Sequence, residues 1–560
     1  MVLSRIESIL FNPNPRTAAV GLAALIGAGG LLATLLVAAA GPIYAAVAFL
    51  AVIGGLLILR DLRWGLVALI AVIGLLPFAA LPFKLGFTPT FLDIALLAVY
   101  LVWVVRIATR RDRELVGTPL GAAVLAFLLL SVFAFANGLQ YNQPALTTIR
   151  NYAVLALAIL FFFVLVNTLR TQADLDLLTR LIILAGAGAA ALAVLFYFIP
   201  PAWTVRVLDA LARFNYPGGY AALRYIEDDP ANPMRAIGTM VDPNVLGGFM
   251  ILVTALTLPQ LVSPQPLFRR PWVALFVALD LLALYLTHSR GSMAGLAAGL
   301  LVIGVLRYRK LLLVGAIAAV LLLFLPQTQE YVAHFVEGVR LQDRATLMRL
   351  GEYKDALALI GRYPWFGVGF TGSPEANLYV GVSNLYLLIA EEMGVVGVAL
   401  FLVIVTGYLG SLWRAWRRLN RTIVRADAHA GRAASLSCLR HAGQGAQPPC
   451  GTANENACRM RSPEGDLAAA RPFAPNSIRV FRAESLLLGL AAARPFAPNS
   501  IRVFRTESLL LGLVAATIGV MVGGLFDHYL FNLVYPHMST LFWIYIGLGM
   551  SATECVKRNT

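Results

Sequence analysis

The sequence predicts an all-α protein: a polytopic integral membrane helix bundle of about 14 transmembrane helices with two long extracytoplasmic loops. Three observations predict it. First, 59% of the 560 residues are apolar and 13% are charged, and the mean hydropathy is +0.77. An ordinary soluble domain is roughly 25% charged and 45–50% apolar. Second, the apolar residues fall in long runs near the roughly 20 residues that a helix needs to cross hydrocarbon. About fourteen such spans would use about 280 residues, half the chain. Third, the runs are continuous and not alternating, which excludes a barrel. Only helices and closed barrels satisfy their own backbone polar groups in lipid.

In order, the apolar runs cover 17–40, 43–59, 65–82, 89–106, 119–137, 150–168, 181–199, 244–263, 272–288, 292–306, 311–326, 384–408, 508–526 and 538–552. The first leads at once to a second, so it reads as an anchor and not as a cleaved signal peptide. The pair 272–288 and 292–306 has a very short connection. With the N-terminus inside, inner short loops hold Arg60 and Arg63, Arg106 and Arg110 to Arg113, Arg170 and Arg180, Arg269 and Arg270, and Arg307 to Lys310. Outer short loops and span ends hold Lys84, Arg150 and Arg290. The positive-inside rule therefore predicts a multi-pass protein of the cytoplasmic (inner) membrane with both termini cytoplasmic.

This divides the chain into N-terminal transmembrane helices (1–200) and a core region (201–410) with outer loops 200–243 and 327–383. A cytoplasmic insert (411–507) and two closing transmembrane helices (508–560) follow. The net charge of +15 is mostly topology. The basic residues are scattered between apolar runs, so nucleic acid is not an expected partner. Outer-loop cations do not follow from topology, because long loops escape the charge rule. They are Arg206, Arg213, Arg224 and Arg235 in the first loop, and Arg340, Arg344, Arg349, Lys354 and Arg362 in the second. The four cysteines (438, 450, 458, 555) form no CxxC pair and match no zinc or disulfide spacing.

The insert opens with a basic run and then loses its apolar period. Within it, 468–490 recurs as 491–513 with one change, Ala483 to Thr506. A solenoid would show drift and at least three copies, so a recent tandem duplication or an assembly error is the simpler account. A cytoplasmic loop absorbs such an insertion at small entropic cost. The apolar run continues only after the second copy, which alone becomes a membrane helix.

Three constellations carry possible chemistry. In the first, Arg235-Ala-Ile-Gly238 leads to Asp242-Pro243-Asn244 at the outer mouth of a span. Asp-Pro-Asn is a turn and helix start, with Asp242 or Asn244 available as cap. With Arg235 beside free helix N-terminal amides, it would also suit a pyrophosphate. In the second, Thr287-His288-Ser289-Arg290-Gly291-Ser292 joins two apolar runs, and Arg290 reads either as a snorkelling anchor or as an anion contact. The third runs from Arg349 and Glu352-Tyr353-Lys354-Asp355 through Tyr363-Pro364-Trp365-Phe366-Gly367-Val368-Gly369 to Ser383-Asn384-Leu385-Tyr386 and Glu391-Glu392-Met393-Gly394. A short amphipathic helix is expected to end at Arg362-Tyr363-Pro364, and Asn384 to open a span with two carboxylates about two turns in. Paired carboxylates at such depth are usually functional or cation-paired. His528 and His537 flank the last outer loop, where Asp527-His528 either completes an outer site or only caps a helix end. Asp93 and Asp280 fall inside spans, and each should find a donor in the bundle. No P-loop, GxGxxG with its strand, HExxH or Ser/His/Asp arrangement is present.

The order of these pieces resembles the O-antigen ligase and O-antigen polymerase superfamily, over about residues 60–410 and the last two spans. The resemblance implies a lipid-carrier-dependent glycosyltransferase working on the outer face of the cytoplasmic membrane. Its partners would be a polyprenyl-pyrophosphate-linked glycan donor, a glycan, lipid or protein acceptor, and membrane lipids. It would need no nucleotide sugar, no metal and no other cofactor. The expected catalytic residues are Arg235, Arg290, Arg349, Asn384, Glu392 and His528, and the expected substrate-binding residues are Asp242, Asn244, Tyr386 and Ser383. Ligases of the family commonly carry His immediately before the Asn at the position of Asn384. Here that residue is Ser383, which is no base at neutral pH. Two other readings stand beside this one: a transporter or flippase of polysaccharide precursors, and a catalytically degraded relative. A transporter should show inverted repeats and charged, interrupted midplane helices; the sequence shows no clear internal symmetry, and its unexplained charges crowd one face.

Overall fold

The computed structural model describes residues 53–81, 86–109, 115–309, 344–375, 381–442 and 498–559, with a few isolated positions besides. Side chains in the helix beginning at Leu385 are described as far as Arg421. The described chain is mostly helical. In order it comprises α1 (Leu62–Leu75), α2 (Phe91–Ala108), α3 (Gly121–Gly138), α4 (Leu146–Thr168), α5 (Gln172–Phe198) and α6 (Pro201–Leu211). An antiparallel hairpin of β1 (Arg224–Tyr225) and β2 (Met234–Arg235) follows. Then come α7 (Pro243–Val262), α8 (Arg270–Leu286), α9 (Arg290–Leu306), α10 (Arg344–Arg362), α11 (Leu385–Ala442), α12 (Pro498–Gly523) and α13 (Pro536–Asn559).

Seven stretches among the described residues are long and apolar enough to cross a membrane: α2, α3, α4, α5, α7, α11 as far as Arg421, and α12 from Arg502. This is half of the expected fourteen. The runs at 17–40, 43–59 and 311–326 lie wholly or largely outside the described residues. Those at 65–82 and 292–306 appear as the shorter apolar helices α1 and α9, and those at 272–288 and 538–552 as α8 and α13. The duplicated segment divides as its apolar pattern requires. The second copy supplies α12, whose Thr506 donates to Gln172 Oε1 at 2.9 Å, while the first copy lies outside the described residues.

Helix starts follow capping chemistry. Thr90 with Asp93 caps α2, and Thr171 with Asp174 caps α5, each as a reciprocal capping box. Asp93 is also held by Arg150, whose Nε and Nη2 both donate to it at 2.8 Å, so its expected donor exists. Asp280 differs. It is fully buried in α8, and both carboxyl oxygens lack a hydrogen-bond partner.

The core sits around α13. Every residue from His537 to Thr553 is buried, and α13 packs on α4, α11 and α12. Only a third of the apolar window of α2 and α3 is buried, against 83% for α7 and α12. The outer helices thus leave apolar faces for lipid, whereas α13 meets protein on all sides. That environment lets α13 carry hydroxyls, because neighbours satisfy them: Ser539 donates to the Leu530 carbonyl at 2.8 Å and Tyr545 to the Leu252 carbonyl at 3.0 Å. Close approach depends on small residues. A methyl group at Gly299 would fall 2.6 Å from the Ala515 carbonyl, and one at Gly519 2.7 Å from Ile251.

Candidate functional site

One end of the bundle gathers three helix N-termini. α7 begins at Asp242-Pro243-Asn244, α9 at Arg290 and α11 at Asn384. The C-terminus of α12 and the 524–535 connection complete the group. Added methyls report the closeness: one at Gly291 would lie 2.6 Å from Phe526 Cβ, and one at Gly524 3.0 Å from Leu385.

Arg235 closes the hairpin over this end. Its Nε donates to the Thr287 carbonyl at 2.8 Å and its Nη2 to Asn244 Oδ1 at 2.8 Å. The next amide, of Ala236, donates to the Leu286 carbonyl at 2.8 Å. One strand end therefore straps the α7 start to the α8–α9 connection. Both neighbours of the strap hold unusual backbone. Val241 has φ 63° and His288 φ 52°, left-handed values costing non-glycine residues roughly 1–2 kcal/mol.

The expectation of free amides beside Arg235 is not met at α7. Asp242 Oδ1 accepts from the amides of Asn244 (2.8 Å) and Val245 (3.0 Å), so the α7 terminus is capped by its own carboxylate. Two of the amides that a bound anion would use at α7 are therefore taken by Asp242. The α9 start has no side-chain cap from Ser289. Arg290 is the first residue of that helix, half-buried.

Asn384 caps α11 as its position suggests: Oδ1 accepts from the amides of Tyr386 (3.0 Å) and Leu387 (3.1 Å). Its Nδ2 donates to the Leu525 carbonyl at 2.9 Å. Tyr386 Oη donates to the Met521 carbonyl at 2.8 Å, which points this side chain along α12. Tyr353 of α10 donates to the same Leu525 carbonyl at 3.2 Å. The Ser383 amide donates to Glu352 Oε2 at 2.9 Å.

The 524–535 connection brings Asp527 and His528 to this end, with Nδ1 and Oδ1 3.6 Å apart. Tyr535 Oη lies 3.4 Å from Asp242 Oδ2. Asp527 is within electrostatic reach of Asp242 and Arg349. Burial pushes its carboxyl above the usual carboxylate range; Asp242 adds to the rise, while His528 and Arg349 oppose it. Burial raises the Tyr535 phenol as well, with the charges of Asp242 and Asp527 behind it.

Glu392 stands apart from this group. α11 breaks at Gly394, where φ is 70° and ψ −175°. The break frees carbonyls that the 363–369 turn satisfies: the Val368 amide donates to the Glu391 carbonyl (2.7 Å) and the Gly369 amide to the Glu392 carbonyl (3.0 Å). In return the Val395 amide donates to the Pro364 carbonyl at 2.8 Å. A side chain at Gly394 would land on the Trp365 carbonyl, and one at Gly367 on the Glu391 carbonyl. The Glu-x-Gly and Gly-Val-Gly motifs are thus two halves of one backbone clamp. Among the described residues neither Glu391 nor Glu392 is paired with a cation, and Glu391 Oε1 and Glu392 Oε2 are buried without a partner.

The structure therefore joins Arg235 to Asn244, Asp242 to Tyr535, and Asp527-His528 to the fields of Asp242 and Arg349. Asn384 and Ser383 reach the same end through Leu525 and Glu352. Residues 275–402 match the family described as O-antigen ligase. The matched stretch is about a quarter of the chain. It takes in Arg290, Arg349, Ser383, Asn384, Tyr386 and Glu392, whereas Arg235, Asp242, Asn244 and His528 lie outside it. The match supports the O-antigen ligase and polymerase superfamily and, with the apolar helices, a multi-pass membrane protein. No curated protein matches the chain. Sequence reasoning missed Tyr535 and gave Glu352 and Tyr353 no role. The available signal for Tyr535 was its place in Tyr-Pro-His just ahead of a helix, at the same end as Asp-Pro-Asn.

Proposed function

We propose that this protein transfers or polymerises a polyprenyl-pyrophosphate-linked glycan at the bundle end that holds Arg235, Arg290 and Arg349, on the outer face of the cytoplasmic membrane. The observation that carries the reading is the α9 start at Arg290, which has no side-chain cap and opens at the same bundle end as Arg235, with Arg349 within electrostatic reach of Asp527 there. A helix N-terminus without a side-chain cap, together with guanidinium groups, favours a pyrophosphate anion.

In the reaction, an acceptor hydroxyl oxygen bonds to the anomeric carbon while the bond from that carbon to the pyrophosphate oxygen breaks. The pyrophosphate leaves on its polyprenyl carrier with the electron pair, and the acceptor proton passes to a base. Arg235 and Arg290 stabilise the charge that grows on the leaving group. Arg349 balances the Asp527 side. Ser383 does not serve as base, so His528, beside Asp527, takes the acceptor proton. Asn384, Tyr386 and Glu392 hold α11 and its break in place beneath the site.

The test is transfer in liposomes holding the purified chain, a polyprenyl-pyrophosphate glycan and an acceptor. Arg235→Ala and Arg290→Ala should each abolish transfer while the protein remains in the membrane fraction. Retained transfer in both variants rejects the assignment.

A further inference from the structure

The helix α6 is not explained by the transfer chemistry. It begins two residues after α5, at Pro201, and α5 is a 27-residue apolar helix ending at Phe198. Two intervening residues reach at most about 10 Å, so α6 starts at the level at which α5 ends. Its inner face is fixed: Thr204, Val205 and Leu208 are buried, in a satellite cluster with Phe196, Tyr216, Leu223 and Ile237. The Thr204 hydroxyl donates to the Phe196 carbonyl at 3.0 Å, which ties α6 back to α5.

The outer face carries large apolar side chains beside the charged Arg206 and Asp209. Trp203 is 57% exposed, Val207 40%, and Phe198, at the adjoining end of α5, 67%. A helix that lies in solvent would not spend an indole there. The guanidinium of Arg206 stacks over the Trp203 ring, 4.8 Å from its centroid. Among the described residues Arg206 makes no ion pair, and the nearby acid Asp209 is engaged with the Gly219 amide at 2.7 Å. An exposed indole capped by a cation at bilayer level is the pattern of an interfacial anchor: ring in the acyl boundary, charge at the phosphate layer.

We propose that α6 lies in the plane of the membrane surface as a phospholipid-docking helix. Phe198, Trp203 and Val207 enter the acyl boundary, and Arg206 rests on a phospholipid phosphate. The partner is the leaflet into which α5 emerges. The inference holds whichever chemistry the neighbouring arginines perform. Its structural effect is local, because α6 shares its inner cluster with Ile237, two residues beyond Arg235.

The experiment uses the full chain with its four cysteines replaced by serine, Val207→Cys carrying a bimane label, and liposomes of phosphatidylethanolamine and phosphatidylglycerol. Lipids brominated near the glycerol end of the acyl chain should quench the label at least two-fold more than a water-soluble quencher of equal efficiency. The same label at Gly219→Cys should show the reverse preference. Adding Arg206→Glu to the Val207→Cys chain should at least halve the lipid quenching, while Arg206→Lys should retain it. Equal or greater quenching of the 207 label from water overturns the proposal. So does lipid quenching that Arg206→Glu leaves unchanged, since the phosphate contact would then be absent.

Discussion

Arg235 and Asn244 share a 2.8 Å hydrogen bond between guanidinium and side-chain amide oxygen, while the same guanidinium holds the Thr287 carbonyl. Two donors in a fixed plane serve two acceptors from different elements. Arg235→Lys keeps the charge but not the fork. Transfer by Arg235→Lys should therefore stay at least about ten-fold below the parent, a loss of about 1.4 kcal/mol in transition-state stabilisation. Initial rates in liposomes check this; full rescue by Lys would show that charge alone suffices.

Asp242 has two separable duties. As cap of α7 it contributes about 1 kcal/mol, and as an anion it opposes any bound pyrophosphate. Asp242→Asn should keep the cap and the melting temperature, and should tighten donor binding. Asp242→Ala should lower stability by about 1 kcal/mol. Thermal melts in detergent paired with donor KM separate the two duties.

Asp527 sets a pH slope. Its carboxyl is raised by burial first and by Asp242 next. A carboxyl raised on folding binds its proton more tightly in the folded state. Its contribution to stability is complete below the ordinary carboxylate pKa and is lost as pH climbs through the raised value. Melting temperatures taken from about pH 4 to about pH 8 should fall more steeply for the parent than for Asp527→Asn. Parallel curves would remove Asp527 as the source.

Gly394 is the hinge of the clamp between α11 and the 363–369 turn. Gly394→Ala meets both the strained backbone and the Trp365 carbonyl, and should cost about 2–5 kcal/mol. Detergent melts should show a marked drop. A neutral result would mean that the turn does not seat on α11.

Deleting residues 468–490 should leave both melting temperature and transfer near parental values, because α12 and its contacts with Gln172 come from the second copy. A large loss of either would show that the first copy has a role of its own.

The features legible in the sequence are the local ones. Asn384 announces itself as a cap because it stands directly ahead of an apolar run, and the α10 boundary is visible in Arg362-Tyr363-Pro364. Partners distant in sequence are not legible: nothing near Arg235 points to Thr287, whose carbonyl reaches it only through the fold. The meaning of Glu391-Glu392 was hidden for a different reason. Their carboxylates drew notice, while the backbone carbonyls make the ordered contacts, and carbonyls have no letter in a sequence. Asp280 invited a donor on depth alone and found none. The run 538–552 is legible as a helix, but its place at the centre is not, because an apolar run reads the same whether it faces lipid or protein.

The burial of α13 also orders the protein's birth. Each wall that receives it, α4, α11 and α12, precedes it in the chain; α12 packs on α7 and α9 without it, whereas α4 meets its chief partner only when α13 arrives. The same late segment delivers Asp527, His528 and Tyr535 on its leading edge. An incomplete chain therefore lacks both the central helix and the side of the bundle end that holds Asp527 and Tyr535, so that end is finished only when the last helix is in place.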